Sequence, residues 1–228
     1  IPIIIHEQNT HMGQANRLLK RFAHQVCLGM PIEGLPKEWV VGNPVSLPNT
    51  GKRGSGLLVM GGSQGCDFFN TTLPALLKSR VGNKSVIHIA GEDHEQVRSR
   101  YKAIGVEATV YEFCHNMSEV YHMSDTVIAR SGAMTLAEIS HFGLGALLVP
   151  YPYAACDHQR KNAKIYADAN AAIVAEESEE AVSNALDTLL GTDIYTVLGQ
   201  NAKSLNPEDA LNKIITIIQV THASAISD

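Results

Sequence analysis

From Gly56 onward the chain alternates between short apolar runs and stretches of helical periodicity, and this alternation constrains the fold more than any other feature. The apolar runs fall at 57–60, 86–90, 108–111, 126–129, 146–149 and 172–174. Helical patterns separate or follow them at 67–79, 92–104, 116–123, 135–142, 158–167 and 179–190. The runs are apolar throughout instead of alternating with polar residues, as in strands covered on both faces. Six β/α repeats of this kind predict an α/β fold with a Rossmann-like, doubly wound parallel sheet.

The residues before this region do not complete a second sheet. Residues 1–5 read as a buried parallel strand, and 14–24 as a helix whose apolar stripe is Leu18, Leu19, Phe22 and Ala23. Residues 26–28 and 39–41 are short strand candidates. Two or three parallel strands with one helix cannot form a covered sheet. Residues 1–43 are therefore expected to be the end of a domain that starts before Ile1. The stretch 42–56, GNPVSLPNTGKRGSG, has the composition of a linker, assigned to 44–56. A complete Rossmann-like domain is expected over 57–205. Asn206-Pro207-Glu208-Asp209 reads as a helix start with Asn206 as cap. The helix it opens, 206–222, carries Leu211, Ile214, Ile215 and Ile218 on a face expected to pack back toward the first domain, and 223–228 reads as a frayed tail.

Several function classes are disfavoured at this point. The formal net charge of −5 argues against an extended nucleic-acid surface. No apolar run approaches the roughly 20 residues that span a bilayer. The four cysteines, Cys27, Cys66, Cys114 and Cys156, are scattered, without metal-ligand spacing, so no metal site and free thiols are expected. Neither a nucleophile elbow nor a glycosidase-like carboxylate pair is present.

In an open parallel sheet, ligands bind beyond the carboxyl ends of the strands. Four loops there carry chemistry. After the run 57–60 comes Gly61-Gly62-Ser63-Gln64-Gly65, a glycine turn that lets backbone approach a phosphate, or simply a tight turn; lacking the G-x-G-x-x-G and P-loop patterns, it predicts no nicotinamide cofactor. After 108–111 comes Glu112-Phe113-Cys114-His115-Asn116-Met117, where backbone beside an aromatic suits a nucleobase. After 126–129 comes Arg130-Ser131-Gly132-Ala133-Met134-Thr135, with Glu138 about a turn further on. A helix N-terminus favours phosphate, and a carboxylate near it suits vicinal ribose hydroxyls; Thr135-x-x-Glu138 is equally a capping box. After 146–149 comes Asp157-His158-Gln159-x-x-Asn162, suited to sugar hydroxyls or to a helix capped by Asp157. His6-Glu7-Gln8-Asn9 holds the equivalent rim of the first part. Together these groups describe a nucleotide-sugar site.

Read in order, H-E-Q-N-x-x-x-G-x-x-N-R-L-L (6–19), G-N-P-V (42–45), G-G-S-Q-G (61–65), E-F-x-x-x-M (112–117), R-S-G-A-x-T-x-x-E (130–138) and D-H-Q-x-x-N-A (157–163) resemble the MurG family of bacterial UDP-GlcNAc:lipid I N-acetylglucosaminyltransferases. The resemblance covers residues 1 to about 175 and implies a GT-B fold, two Rossmann-like domains facing across a cleft. It implies UDP-GlcNAc as donor, lipid I as acceptor and no cofactor. It further implies an inverting transfer in which the acceptor hydroxyl displaces UDP from the anomeric carbon. Glu138 would bind the ribose, and the backbone at Cys114, beside Phe113, the uracil. Ser63, with Gln64 next to it, and the turn Ala133-Met134-Thr135 would hold the diphosphate. His158, Gln159 and Asn9 would contact the GlcNAc. Residues 1–43 would be the acceptor-side remnant and 57–205 the donor domain. The family's base and its membrane-contacting patch would precede residue 1, giving a peripheral protein on the inner face of the cell membrane. These 228 residues alone are then expected to be inactive in transfer. Ser46 stands where many relatives carry an Arg near the phosphates; Lys52 and Arg53 are the expected substitutes. Two other readings are a donor-binding subunit of a two-chain transferase and a non-catalytic sugar-nucleotide binder.

Overall fold

A computed structural model describes residues 1–51, 53–62, 65–207 and 209–227. The amino-terminal part contains β1 (Ile4–Glu7), α1 (Gln14–Leu19) and β2 (Gln25–Leu28), with β1 and β2 paired in parallel. The strand sits further along than expected: Ile1 and Ile3 are exposed, and the first buried position is Ile5. Residues 37–39 form a 3-10 turn, and Val40 makes only an isolated bridge to Leu28, so the expected third strand does not form. Helix α1 stops at Leu19, and Leu18, Leu19 and Phe22 face outward; of the expected stripe only Ala23 packs on the small cluster of Ile5, Met12, Val26 and Leu28.

The second part is the expected doubly wound domain. It runs β3 (Gly56–Met60), α2 (Asp67–Leu77), β4 (Val86–Ile89), α3 (His94–Ile104), β5 (Ala108–Tyr111), α4 (Met117–His122), β6 (Ser124–Ala129), α5 (Ala133–Phe142), β7 (Gly145–Leu148), α6 (His158–Asp168) and β8 (Ala172–Val174), then α7 (Glu179–Gly191), α8 (Ile194–Lys203) and α9 (Ala210–Ser227). The sheet order is β5-β4-β3-β6-β7-β8, all parallel. Leu57 and Val59 point to the layer of α2, α3 and α7; Leu58 and Met60 point to that of α4, α5 and α6. Burial on both faces is why these strands read as unbroken apolar runs.

The sequence pattern does not announce α8. Its residues include β-branched Ile194, Thr196 and Val197 and a central Gly199, all poor helix formers. Packing overrides propensity here. A Cβ on Gly199 would lie 2.2 Å from the Gly143 carbonyl oxygen, and one on Gly145 would lie 2.4 Å from the Tyr195 Cβ. Glycine at both positions lets α8 lie directly on the turn that enters β7.

At the carboxyl end, Asn206 does not cap a helix. Its amide embraces the backbone of Asn43: Asn206 Oδ1 accepts from Asn43 N at 2.8 Å, and Nδ2 donates to Asn43 O at 3.0 Å. Helix α9 starts only at Ala210 and continues to Ser227, so the expected tail is helical through that residue. Leu211, Ile215 and Ile218 are exposed. The helix does lie back along the first part, against β2 and beside Val40 and Val41, through Asn212, Lys213, Thr216 and Ile217; of the expected apolar face only Ile214 is half-buried.

Two expectations follow. Gly199→Ala should lower stability by about 1–3 kcal/mol through overpacking, although in an exposed helix the same change would gain nearly 1 kcal/mol; a rise in the thermal midpoint would refute the close approach. His88, fully buried in β4 with Nδ1 3.1 Å from the Tyr101 hydroxyl, is pushed down to about 3 by burial. Its native form is neutral, and the unfolded chain takes up a proton below about pH 6.5. Stability should therefore be full above that pH and fall as pH drops toward 3, by at most about 1.4 kcal/mol per unit from this residue. Urea unfolding of His88→Gln between pH 4.5 and 7 should show a correspondingly flatter profile.

Candidate functional site

Strand order reverses between β3 and β6, whose Met60 and Ala129 are register partners. The loops leaving these two strands therefore emerge side by side, forming a crevice at the carboxyl edge of the sheet. On the β6 side the chain turns at Ser131-Gly132, and α5 starts at Ala133 with Gly132 in extended conformation as N-cap and no side-chain cap bond. Thr135 thus lies inside the helix. Glu138 turns its carboxylate to Tyr121, whose hydroxyl donates to Oε2 at 2.7 Å. The capping box does not form. Instead, the first-turn amides of Ala133, Met134 and Thr135, which have no carbonyl partner within the helix, lie close to a structured carboxylate.

Burial raises the Glu138 pKa, opposed by the Tyr121 hydrogen bond and by the nearby His141. Tyr121 is itself fully buried and stacks on Phe142 at 4.8 Å, and burial pushes its pKa well up, so it acts as donor. A carboxylate that has lost part of its water and has one such donor gains by accepting hydrogen bonds from a ligand.

The neighbouring loops bring in the other predicted residues. Phe113 is exposed and meets His115 edge-on at 4.9 Å; Cys114 is half-buried against the core cluster below Glu138. At the start of α6, Cys156 and Asp157 both adopt left-handed conformations, φ 53° and 54°. Asp157 occupies the N-cap position without a side-chain cap bond, so capping does not account for this turn. Such backbone costs of order 1–3 kcal/mol per residue and typically persists at functional turns. His158 Nδ1 lies 2.7 Å from the Ala155 carbonyl oxygen, which fixes the proton on Nδ1 and leaves Nε2 as an acceptor. Gln159 Oε1 accepts from Tyr151 N at 2.8 Å, leaving its amide N–H groups as donors. Ser63 and Gln64, like Lys52, lie outside the described residues.

Arg53 is not near this edge. It donates to the carbonyl of Gly143, which precedes β7 at the opposite end of the sheet, at 3.0 Å. It is not placed to take the phosphate role expected of it. Described residues of the linker are stitched to that lower end: Ser118 Oγ donates to Pro48 O, Asn49 Nδ2 to His141 O and Gly54 N to His122 O.

Three residues matter at the site beyond what sequence reasoning assigned to them. Tyr121 read only as a helical apolar position. Arg130 was part of a motif; it is buried, donates to the carbonyls of Val149 and Pro150, pairs with Glu177 and lies over the Phe69 ring. Arg130 and Glu177 line a cavity of about 650 Å³ with Gly61, Gly65, Asp67 and Gln159. Asn162, one turn after His158 and Gln159, is fully buried and reaches both parts of the chain, to Asn9 and Thr10 on one side and Ser131 on the other. Its spacing from His158, i to i+4, is the signal that places it on the cleft face.

Comparison with known proteins gives a consistent picture. The glycosyltransferase family 28 C-terminal domain matches residues 56–211. A UDP-N-acetylglucosamine–N-acetylmuramyl-(pentapeptide) pyrophosphoryl-undecaprenol N-acetylglucosamine transferase of Pseudomonas savastanoi is 35% identical over 241 residues, covering 97% of this chain and 67% of the relative. The enzyme of the same name from Bordetella petrii is 40% identical over 193 residues, covering 78% of this chain and 54% of the relative. The crystal structure of Acinetobacter baumannii MurG superimposes with a TM-score of 0.81 at 30% identity, over 96% of this chain and 67% of that one. The chain thus spans about two thirds of the length of such relatives. It has the GT-B C-terminal domain and belongs to glycosyltransferase family 28 and, within it, to the MurG family.

Proposed function

We propose that this chain carries the donor side of an inverting transfer of GlcNAc from UDP-GlcNAc to lipid I, a step of peptidoglycan synthesis. The observation that carries this reading is the Glu138 carboxylate, bonded to Tyr121 behind the open N-terminus of α5 at the reversal point of the sheet. Glu138 accepts from the ribose hydroxyls. The amides of Ala133, Met134 and Thr135 receive the diphosphate, joined by Ser63 and Gln64 from the glycine loop. The backbone at Cys114 reads the uracil edge while Phe113 covers its face. His158 offers an acceptor, and Gln159 and Asn9 offer amide groups, to the hydroxyls of GlcNAc.

In this mechanism the acceptor hydroxyl attacks the anomeric carbon and gives its proton to a general base, while the bond to the diphosphate oxygen breaks and UDP departs. The charge that develops on the leaving diphosphate is met by the α5 dipole and its amides. No cofactor takes part. The relatives' acceptor is linked to undecaprenol, which resides in a bilayer, and no described helix is long and apolar enough to cross one. We place the meeting point on the inner surface of the cell membrane, with contacts made outside these residues. Nucleic acid has no part in this reading.

Glu138→Ala should weaken UDP binding by about 1.5–3 kcal/mol, the range for hydrogen bonds to a charged group; calorimetric titration reads it directly, and an unchanged affinity would remove the ribose role. Tyr121→Phe removes the donor that holds the Glu138 pKa down. The acidic fall of UDP affinity, where Glu138 takes up a proton, should then shift to higher pH. Coincident pH profiles for variant and parent would show that Tyr121 does not tune this group. For the 228 residues alone, we expect UDP-GlcNAc binding but lipid I glycosylation at background, because the first part offers only β1, β2 and α1 as an acceptor wall. Sustained turnover in a radiolabelled transfer assay would be evidence against that division of labour.

A further inference from the structure

We propose that Asn162 is a positioning residue that fixes which face of the Asn9 amide the sugar meets, so that Asn9 presents N–H to the donor sugar. The inference rests on the reading of Asn9 as a GlcNAc contact and extends it.

The assignment follows from hydrogen-bond logic. Thr10 N can only donate, and it lies 3.1 Å from one end of the Asn162 amide, which must therefore be Oδ1. The Ser131 carbonyl can only accept, and it lies 3.1 Å from the other end, which must be Nδ2. Thr10 Oγ1 adds a second donor to Oδ1 at 3.0 Å. The second N–H of Nδ2 points at Asn9, 3.1 Å away, so the Asn9 atom there must be Oδ1. Asn9 Nδ2 then lies on the other side, 3.4 Å from Glu7 Oε1. All four hydrogen-bonding capacities of Asn162 are in use, and the residue is fully buried.

Glu7 closes the network from below. Burial pushes its carboxyl up, but hydrogen bonds from Gly13 N, Asn16 and Asn9 outweigh this and hold it below its ordinary value. As a fixed anion it accepts from Asn9 N at 3.1 Å and from Gly13 N at 2.9 Å. Asn9 is thus held at both ends, with an N–H of Nδ2 left for a ligand oxygen. Asn162 in turn sits one turn beyond His158 and Gln159, and Gln159 is tied to the same point because Ser131 Oγ donates to the Gln159 carbonyl at 2.8 Å. A single buried amide therefore sets the relative placement of groups from both sides of the crevice.

Asn162→Asp tests this. A carboxylate of the same shape keeps the contact with Thr10 but cannot donate to Asn9 Oδ1 or Ser131 O. UDP-GlcNAc and UDP affinities would be measured on the full chain by calorimetry, alongside Asn9→Ala and the double variant. We expect UDP-GlcNAc affinity to fall by about tenfold, the size of one good hydrogen bond, with UDP affinity unchanged and no further loss of discrimination in the double variant. Thr10→Val, which removes one donor to Asn162 without burying charge, should show the same selective loss at roughly threefold and covers the case in which the Asp variant does not fold. Parallel losses of UDP and UDP-GlcNAc affinity in Thr10→Val, or additive losses in the double variant, would make Asn162 merely structural and overturn the proposal. An Asn9→Ala variant with unaltered discrimination would instead overturn the reading of Asn9 itself, and the proposal with it.

Discussion

The pairing of β3 with β6 is the constraint on which the site depends. Helices after β3 lead outward toward β5, and helices after β6 lead outward toward β8, so the two central loops are not covered by a crossover. Apolar burial on both faces holds these strands in register, Met60 beside Ala129. The groups assigned to ribose and diphosphate inherit their position from this pair, Glu138 and the first-turn amides through α5, with Tyr121 held by the helix that leads into β6, whereas Phe113 and Cys114 follow the edge strand β5.

The crevice works with few formal charges. Arg130 is matched by Glu177, Arg53 lies at the far end of the sheet, and Glu138 is the carboxylate that faces the expected ribose. In the proposed reading, backbone amides and neutral side chains do most of the recognition. Such groups are directional, so their orientation matters more than their number. Orientation is supplied by fixed partners: the buried Tyr121 for Glu138, the buried Asn162 for Asn9, and the Tyr151 amide for Gln159.

Much of this was legible in the sequence. Doubly buried strands and the glycine-marked loops after them define the sheet and its crevice because both depend on local pattern. The family's loop motifs point to the residues that line it. Helix α8 was not legible, since Gly199 makes sense only against Gly143, far away in sequence. Asn206 read as a cap because Asn-Pro opens many helices, but the same amide satisfies Asn43 instead. Thr135 and Glu138 read equally well as a capping box until Tyr121, on another helix, claimed the carboxylate. The reach assigned to Arg53 failed because linker composition gives no path. In each case the deciding partner is remote in sequence.

The amide of Asn206 has a mechanical consequence. The chain crosses between the two parts twice, once through Gly42 and Asn43 and once through the segment that leads into α9, the helix that then runs back beside Val40 and Val41. Asn206 fastens these crossings together by both backbone atoms of Asn43, while residues beyond Leu47 are anchored to the lower end of the donor domain. Gly42, at φ 93° and with Pro207 where a Cβ would stand, fixes the sharp bend at that rivet. A second tie joins the two parts at the crevice, where Thr10 and Asn9 bond Asn162. Asn43 itself reaches the rim of the crevice: its Nδ2 donates to the carbonyl of Gln8 at 3.1 Å, so the strap that joins the two parts also sets where Asn9 and Thr10 stand.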